Sequence, residues 1–234
     1  MNLRASTLKR LASSLAIAGV ATLFAPSAHA GPPVCGTTNG NPVVYVAGTA
    51  KPYVVALAPA LFADPVAPLT IVFKGVTSCL GVSAILGPTP INGSAAYYDP
   101  ASPNPLHEEP CTLPVPDGGT LFADIGSSDV FADTCSPLPG GLPKNVGDFF
   151  GPVASMTFVV PNSSTQKSIS ATAAYYVYGL GAAGHVAPWI DENWILKRNE
   201  TSGTGLLIAK GIGVDSTKWK GFDPLFSGAM IAKL

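Results

Sequence analysis

The side chains able to do chemistry are few, and most of them are hydroxyls. The histidines are His29, His107 and His185. His107 stands in a Pro-rich stretch beside Glu108 and Glu109, and His185 in a Gly/Ala stretch. Both settings fit solvated loops better than a metal site or a general base. No G-x-S-x-G nucleophile elbow and no G-x-x-x-x-G-K-[ST] phosphate loop is present. Hydrolytic, redox and metal chemistry therefore lack a recognisable centre, and no catalytic residue, metal or cofactor is expected. What recurs instead is a small polar turn: Gly48-Thr49-Ala50, Thr77-Ser78, Gly126-Ser127-Ser128-Asp129 and Ser202-Gly203-Thr204.

These turns sit at expected junctions between strand and helix. Residues 42–46 form a short β-branched run, 53–62 an Ala-rich helical run and 69–73 a second strand. A further apolar stretch reaches Leu86. Strand, helix, strand, helix is the signature of a parallel α/β sheet. Residues 87–120 are rich in Pro, Gly, Asn and Asp and are expected to form an ordered excursion with a hairpin near residues 95–98. Strands are then expected at 121–125 and 153–160, and helices at 169–180 and 206–212. Open α/β sheets bind ligands beyond the carboxyl ends of their strands, where loops lead into helix starts. Helix starts offer unpaired N–H groups and partial positive charge, which suit an oxyanion, and Ser and Thr add hydroxyl donors without bulk. Each feature has a plainer use. Ser202 serves equally as a helix cap, Asp129 as a turn residue and a lone arginine as surface charge. Their combination is what points to an anion site.

The arginines are Arg4, Arg10 and Arg198. The first two belong to an expected export signal over residues 1–30. A basic start with Arg4, Lys9 and Arg10 precedes an apolar run from Leu11 to Ala25 and an Ala28-His29-Ala30 cleavage site. The run is shorter than the ~20 residues that span a bilayer. Without residues 1–30, Arg198 is the sole arginine, ten basic residues face fourteen acidic ones, and the balance is −4. A guanidinium is a planar, permanently charged fork suited to phosphate or carboxylate. The whole 234-residue chain is 47% hydrophobic and 12% charged. It is too apolar for disorder and too neutral to bind nucleic acid by neutralising phosphates. No later apolar run is long enough to span a membrane. Cys35, Cys79, Cys111 and Cys135 all follow the signal. In an oxidising compartment an even count implies two disulfides, with three connectivities open. The shortest closed loop favours Cys111–Cys135 with Cys35–Cys79. Cys79, beside Ser78, reaches Cys135 instead if the polar turns converge.

In chain order from Asn41 to Met230 these turns resemble the phosphate-binding proteins of ABC-type phosphate importers, two-lobed members of the type 2 periplasmic binding proteins. Gly48-Thr49-Ala50-Lys51-Pro52 is similar to the family's G-[AS]-T turn before a Pro-led helix. Gly75-Val76-Thr77-Ser78 is similar to its G-x-G-S turn, whose Ser caps a helix. Asp124-Ile125-Gly126-Ser127-Ser128-Asp129 resembles D-[FI]-G-x-S-D, and Arg198 to Thr204 matches R-x-x-x-S-G-T in spacing. Phe158-Val159-Val160-Pro161 looks like the strand that crosses between lobes, and residues 169–179 like a helix ending in F-x-G. The resemblance implies a first lobe over 31–150, carrying the excursion at 87–120, and a partial second lobe over 151–234. It implies ligand contacts from Thr49, Ala50, Ser78, Asp129, Arg198, Ser202, Gly203 and Thr204. Three departures accompany it: the stretch between Ser78 and Asp129 is longer than usual, the first turn at Thr49 is poorly aligned with the family's, and Leu234 falls before the family's return crossing, so the fold is expected to be C-terminally incomplete.

The expectation is an exported, non-enzymatic solute-binding protein, periplasmic or secreted. It would capture phosphate or a similar oxyanion between its lobes and pass it to the membrane subunits of a transporter. The alternative is a secreted or surface protein that keeps the fold for structure or interaction and binds no ligand. Export is directly testable: mature protein should begin at Gly31, and an intact mass retaining Met1 would refute it.

Overall fold

The computed structural model describes residues 31–36, 40–49, 51–87, 89–114, 119–152 and 155–234; the expected signal over 1–30 lies outside them. Two β-branched runs form the centre of the sheet. Strand β1 (Val43–Gly48) pairs in parallel with β2 (Thr70–Gly75), from Val43 opposite Thr70 to Gly48 opposite Gly75. Helix α1 (Lys51–Phe62) makes the crossover between them and packs on β2. Helix α2 (Ser78–Leu86) follows β2 and packs on β1. Strand β3 (Ser94–Tyr98) adds antiparallel to β2, and β4 (Glu108–Thr112) antiparallel to β3. Strand β5 (Ile125–Ser127) closes the far side in parallel with β1. The order β4-β3-β2-β1-β5 makes a mixed five-stranded sheet, and the α/β class read from the sequence holds. The excursion does contain the expected hairpin, built from β3 and β4.

Burial explains the order. The central strands carry Ala47 and Val72, both fully buried, and Thr70 at 1% exposure. Ala84 of α2 and Tyr97, Ile91 and Leu113 complete this core. Strand β5 starts later than the 121–125 expected. Before it, the Asp124 carboxylate accepts the Tyr45 N–H at 2.8 Å, so a side chain takes a place in the ladder. The strand expected over 153–160 is not formed by residues 155–160; residues 153 and 154 lie outside the described set. Pro152 and Pro161 bracket that run, and its Phe158 and Val160 line a cavity instead of pairing.

After β5 come α3 (Ala132–Cys135), α4 (Ala171–Leu180), α5 (Gly203–Ile212) and α6 (Ser227–Lys233). Ser170 caps α4 through the Ala173 N–H at 3.1 Å, and Ser202 caps α5. Gly213 ends α5 in the left-handed conformation, φ 74°, which a residue without Cβ adopts most easily. Among the described residues, 151–234 add no strand to the sheet; one isolated bridge joins Leu196 to Phe222. A second small core gathers Ala209, Val214 and Trp219 with Tyr178, Ile208 and Ile212. Residues 32–234 form one compact unit. No helix among the described residues is long and apolar enough to cross a membrane.

Two disulfides join Cys35 to Cys111 and Cys79 to Cys135, with Cα separations of 5.0 and 5.1 Å. The short-loop preference for Cys111–Cys135 and Cys35–Cys79 is therefore corrected. Cys111 lies on β4, at the edge opposite β5, and four interstrand steps amount to roughly 19 Å, far beyond disulfide reach. Cys111 instead meets Cys35, whose N–H bonds the Thr112 carbonyl at 2.8 Å. The turns after β2 and β5 converge, and Cys79 meets Cys135 there. The bonds bridge 76 and 56 residues, so each stabilises by roughly 4 kcal/mol on the chain-entropy account. Peptide mapping without reduction should yield these two pairs. Replacing Cys79 and Cys135 together by Ser should lower stability by about 2–4 kcal/mol in urea titration; an unchanged midpoint would contradict the pairing.

Candidate functional site

The site grows from the start of α2. Thr77, not Ser78, is its cap: Thr77 Oγ1 accepts the Leu80 N–H at 3.4 Å and donates to Thr201 Oγ1 at 2.9 Å. The Cys79 N–H bonds the Thr201 carbonyl at 3.2 Å. These contacts bring the turn before α5 against the start of α2. With Thr77 as cap, Ser78 is left as the first helical residue, fully buried. Its hydroxyl lies 3.4 Å from Thr49 Oγ1 and donates to Asp129 Oδ2 at 3.3 Å. Gly203 abuts the same atoms, for a Cβ there would lie 2.5 Å from Ser78 Oγ. Ser202 is buried and caps α5 through the Gly205 N–H at 3.4 Å.

Backbone packing fixes these positions. A Cβ at Gly81 would come within 2.7 Å of both Gly48 Cα and the Ser127 carbonyl, so α2 rests directly on the ends of β1 and β5. The turns after those strands hold each other: the Thr49 N–H bonds the Ser127 carbonyl at 3.0 Å, and Ser127 Oγ donates to the Thr49 carbonyl. The Cys79–Cys135 bond ties α3 to the first turn of α2, and with it the turn that carries Asp129. Asp129 itself is exposed and forms the solvent-facing side of the cluster. Successive strands are added on opposite sides of β1, β2 on one and β5 on the other. The cluster thus stands at a switch point of the sheet, at the carboxyl ends of its strands, where open α/β sheets receive ligands.

Thr49, Ser78, Asp129, Ser202 and Gly203 are thus brought together. Ala50 lies outside the described residues. Arg198 and Thr204 go elsewhere: both line a cavity of about 400 Å3 whose walls include none of Thr49, Ser78, Asp129 or Gly203. Arg198 Nη1 donates to Ser227 Oγ at the start of α6. Its Nε is buried and has no hydrogen-bond partner among the described residues, an arrangement that costs about 1–3 kcal/mol while unmet. Among the described residues the ion pair is Lys51–Glu108, at 2.8 Å, which commits the lysine two residues after Thr49 to β4.

Among the described residues the histidines, His107 and His185, serve loops. His107 Nδ1 lies 3.1 Å from the Ser102 carbonyl, and His185 follows the 3-10 turn Gly181–Gly184. Among the described residues no cluster of His, Cys, Asp and Glu could hold a metal ion. Residues 179–184, GLGAAG, match G-x-G-x-x-G. They close α4 and form the following 3-10 turn, whereas dinucleotide binding needs that motif between a strand and a helix start.

The cavity is what sequence reasoning missed. It lies among Phe158, Tyr178, Trp194, Ile208, Trp219 and Met230. The Tyr178 ring packs 4.6 Å from that of Trp219, and its hydroxyl donates to the Leu196 carbonyl at 3.2 Å. Trp219 Nε1 donates to the Val214 carbonyl at 3.0 Å. The signal was present in the sequence, since all three tryptophans fall between residues 189 and 219. No family model matches this chain, and no curated protein or solved structure matches it either.

Burial pushes the Tyr178 phenol up to about 12 from its ordinary 10.0. The folded protein therefore keeps this proton where the unfolded chain releases it. The stabilisation is complete below pH 10 and is lost as pH rises towards 12, by about 3 kcal/mol across the window. Urea titrations between pH 9 and 11.5 should show wild-type stability falling more steeply than that of Tyr178→Phe. Equal slopes would place the hydroxyl in water.

Proposed function

We propose that this chain is an exported, non-enzymatic protein that captures an inorganic oxyanion, phosphate foremost, at the Thr49–Ser78–Asp129 cluster. The supporting observation is the contact of three chain-distant turns through the Ser78 hydroxyl, with the first turn of α5 against them. An anion entering between α2 and α5 would exchange the Thr49–Ser78 hydrogen bond for bonds to itself. It would also receive first-turn N–H groups, which lack partners within their helices. On this reading residues 31–150 and 151–234 are lobes that part and close over the ligand. Arg198, held on Ser227, supplies no charge to the cluster in this arrangement, so capture rests on neutral donors. No cofactor is required, and two disulfides suit a periplasmic or extracellular setting. The partner for uptake would be the membrane subunits of an ABC importer.

Asp129 sets the choice of anion. A carboxylate accepts hydrogen bonds and cannot donate them. Phosphate near neutral pH retains an O–H to give it, whereas sulfate would set acceptor against acceptor. A second reading, a secreted structural or interaction protein that binds no anion, draws on the same contacts: the Ser78 hydroxyl is already bonded and Gly203 already fills the space beside it. Calorimetric titration separates the two. Wild type should bind phosphate at least tenfold more tightly than sulfate, the size expected when closure over the ligand buries one unmet polar pair. Asp129→Asn should narrow that gap by admitting sulfate. Equal binding of both anions by wild type would remove Asp129 from the site, and binding of neither would favour the second reading.

A further inference from the structure

The geometry points to a second binding site, for a small amphipathic monocarboxylate, in the 400 Å3 cavity between α4, α5 and the segment 157–169. It does not rest on the oxyanion reading. The volume falls within the ~300–1000 Å3 of small-molecule sites, which combine an apolar lining with a few placed polar groups. Trp219, 5% exposed, lies at the inner end with Tyr178 tilted against it and Phe158 stacked on Tyr178, while Trp194, 65% exposed, stands at the mouth. Such walls take an apolar body.

The charged side chains on the cavity wall are Lys167, Lys197 and Arg198; no Asp or Glu lines it, and Leu234, with its α-carboxylate, stands on the same wall. Lys197 Nζ is engaged with the Trp219 carbonyl at 2.8 Å. Arg198 is placed differently. Its Nη1 is committed to Ser227, and its Nε–H is buried and without a partner among the described residues. The Nε–Nη2 edge of a guanidinium presents two parallel N–H groups, the spacing that a carboxylate accepts with both oxygens. A single-headed anion with an apolar tail that displaced the groups covering Nε would satisfy the orphan donor and fill the aromatic wall together. A bulky, fully hydrated dianion satisfies only the first.

All three tryptophans line the cavity, so intrinsic fluorescence reports occupancy. Full-length protein, processed as the cell exports it, is titrated with decanoate, with decan-1-ol as its uncharged counterpart, and with inorganic phosphate. Decanoate should give a saturable change in emission with an affinity about tenfold or more above that of decan-1-ol, the weight of a charge-assisted hydrogen bond. Arg198→Gln should reduce decanoate to the affinity of the alcohol, and Arg198→Lys, which keeps the charge without the fork, should fall between. Ser78→Ala should leave decanoate binding unchanged, whatever it does to phosphate. Equal affinity for acid and alcohol would reveal an apolar void only. An absent decanoate response, an unchanged Arg198→Gln titration, or competition between phosphate and decanoate would each overturn the proposal. Loss of phosphate binding alone would count against the oxyanion site and leave this one standing.

Discussion

At Gly81, helix α2 lies so close to β1 and β5 that no side chain fits between them. At Gly81 even a methyl group would stand 2.7 Å from a backbone carbonyl and from a neighbouring Cα, and neither is the end of a flexible side chain that can move aside. That close approach sets where α2 begins relative to the strand ends, and hence where Ser78 stands. Had α2 ridden on ordinary side chains, Ser78 would be displaced from the sheet by a few ångströms. Thr49 and the Asp129 turn, fixed to the ends of β1 and β5, could not both be reached. The Cys79–Cys135 bond preserves the same relation covalently. It is placed one residue from Ser78, where any loosening of α3 would be felt first.

The price of this tight assembly is a site whose polar groups already answer one another. Ser78 donates a hydrogen bond to Asp129 and shares a contact with Thr49, and Thr77 bridges to Thr201. Buried hydroxyls left without partners would be costly, so internal pairing is what stabilises this junction. A ligand would compete against those bonds rather than enter an empty cradle, and would gain only the difference between two hydrogen-bonded states. Exposed Asp129 is the member of the cluster whose bonds are most easily exchanged, because water can replace them during the change.

Much of the frame was legible in the residues. The β-branched runs at 42–46 and 69–73, each followed by an apolar helix, announced the parallel β1–α1–β2 core within two residues of its bounds. The polar turns after β1 and β2 marked those strand ends, whereas Gly126 and Ser127 lie inside β5; Ser202 is indeed a helix cap. What was not legible depended on distance in space. The cysteine pairing follows from strand order, and nothing local in the chain reveals that β4 and β5 occupy opposite edges. Residues 153–160 carry a strand-like composition, yet residues 155–160 form no ladder, and Phe158 and Val160 face the cavity. The shift from Ser78 to Thr77 as cap is a matter of one residue, decided by Thr201 more than a hundred positions away.

Arg198 shows the same dependence most sharply. By sequence it stands four residues before Ser202 and looks like an obvious counter-charge for an anion held at the start of α5. A helix start, however, turns the chain sharply, and residues before the cap leave along the opposite side from the first-turn N–H groups. The backbone at Asn199 and Arg198 runs beside Gly205, within the first turn of α5 on the side of the cavity, and the guanidinium continues from there to Ser227. The sole arginine beyond residue 30 is thereby assigned to an apolar, aromatic wall. There its charge is less screened than it would be in water, and its unmet Nε–H has the most to gain from a partner.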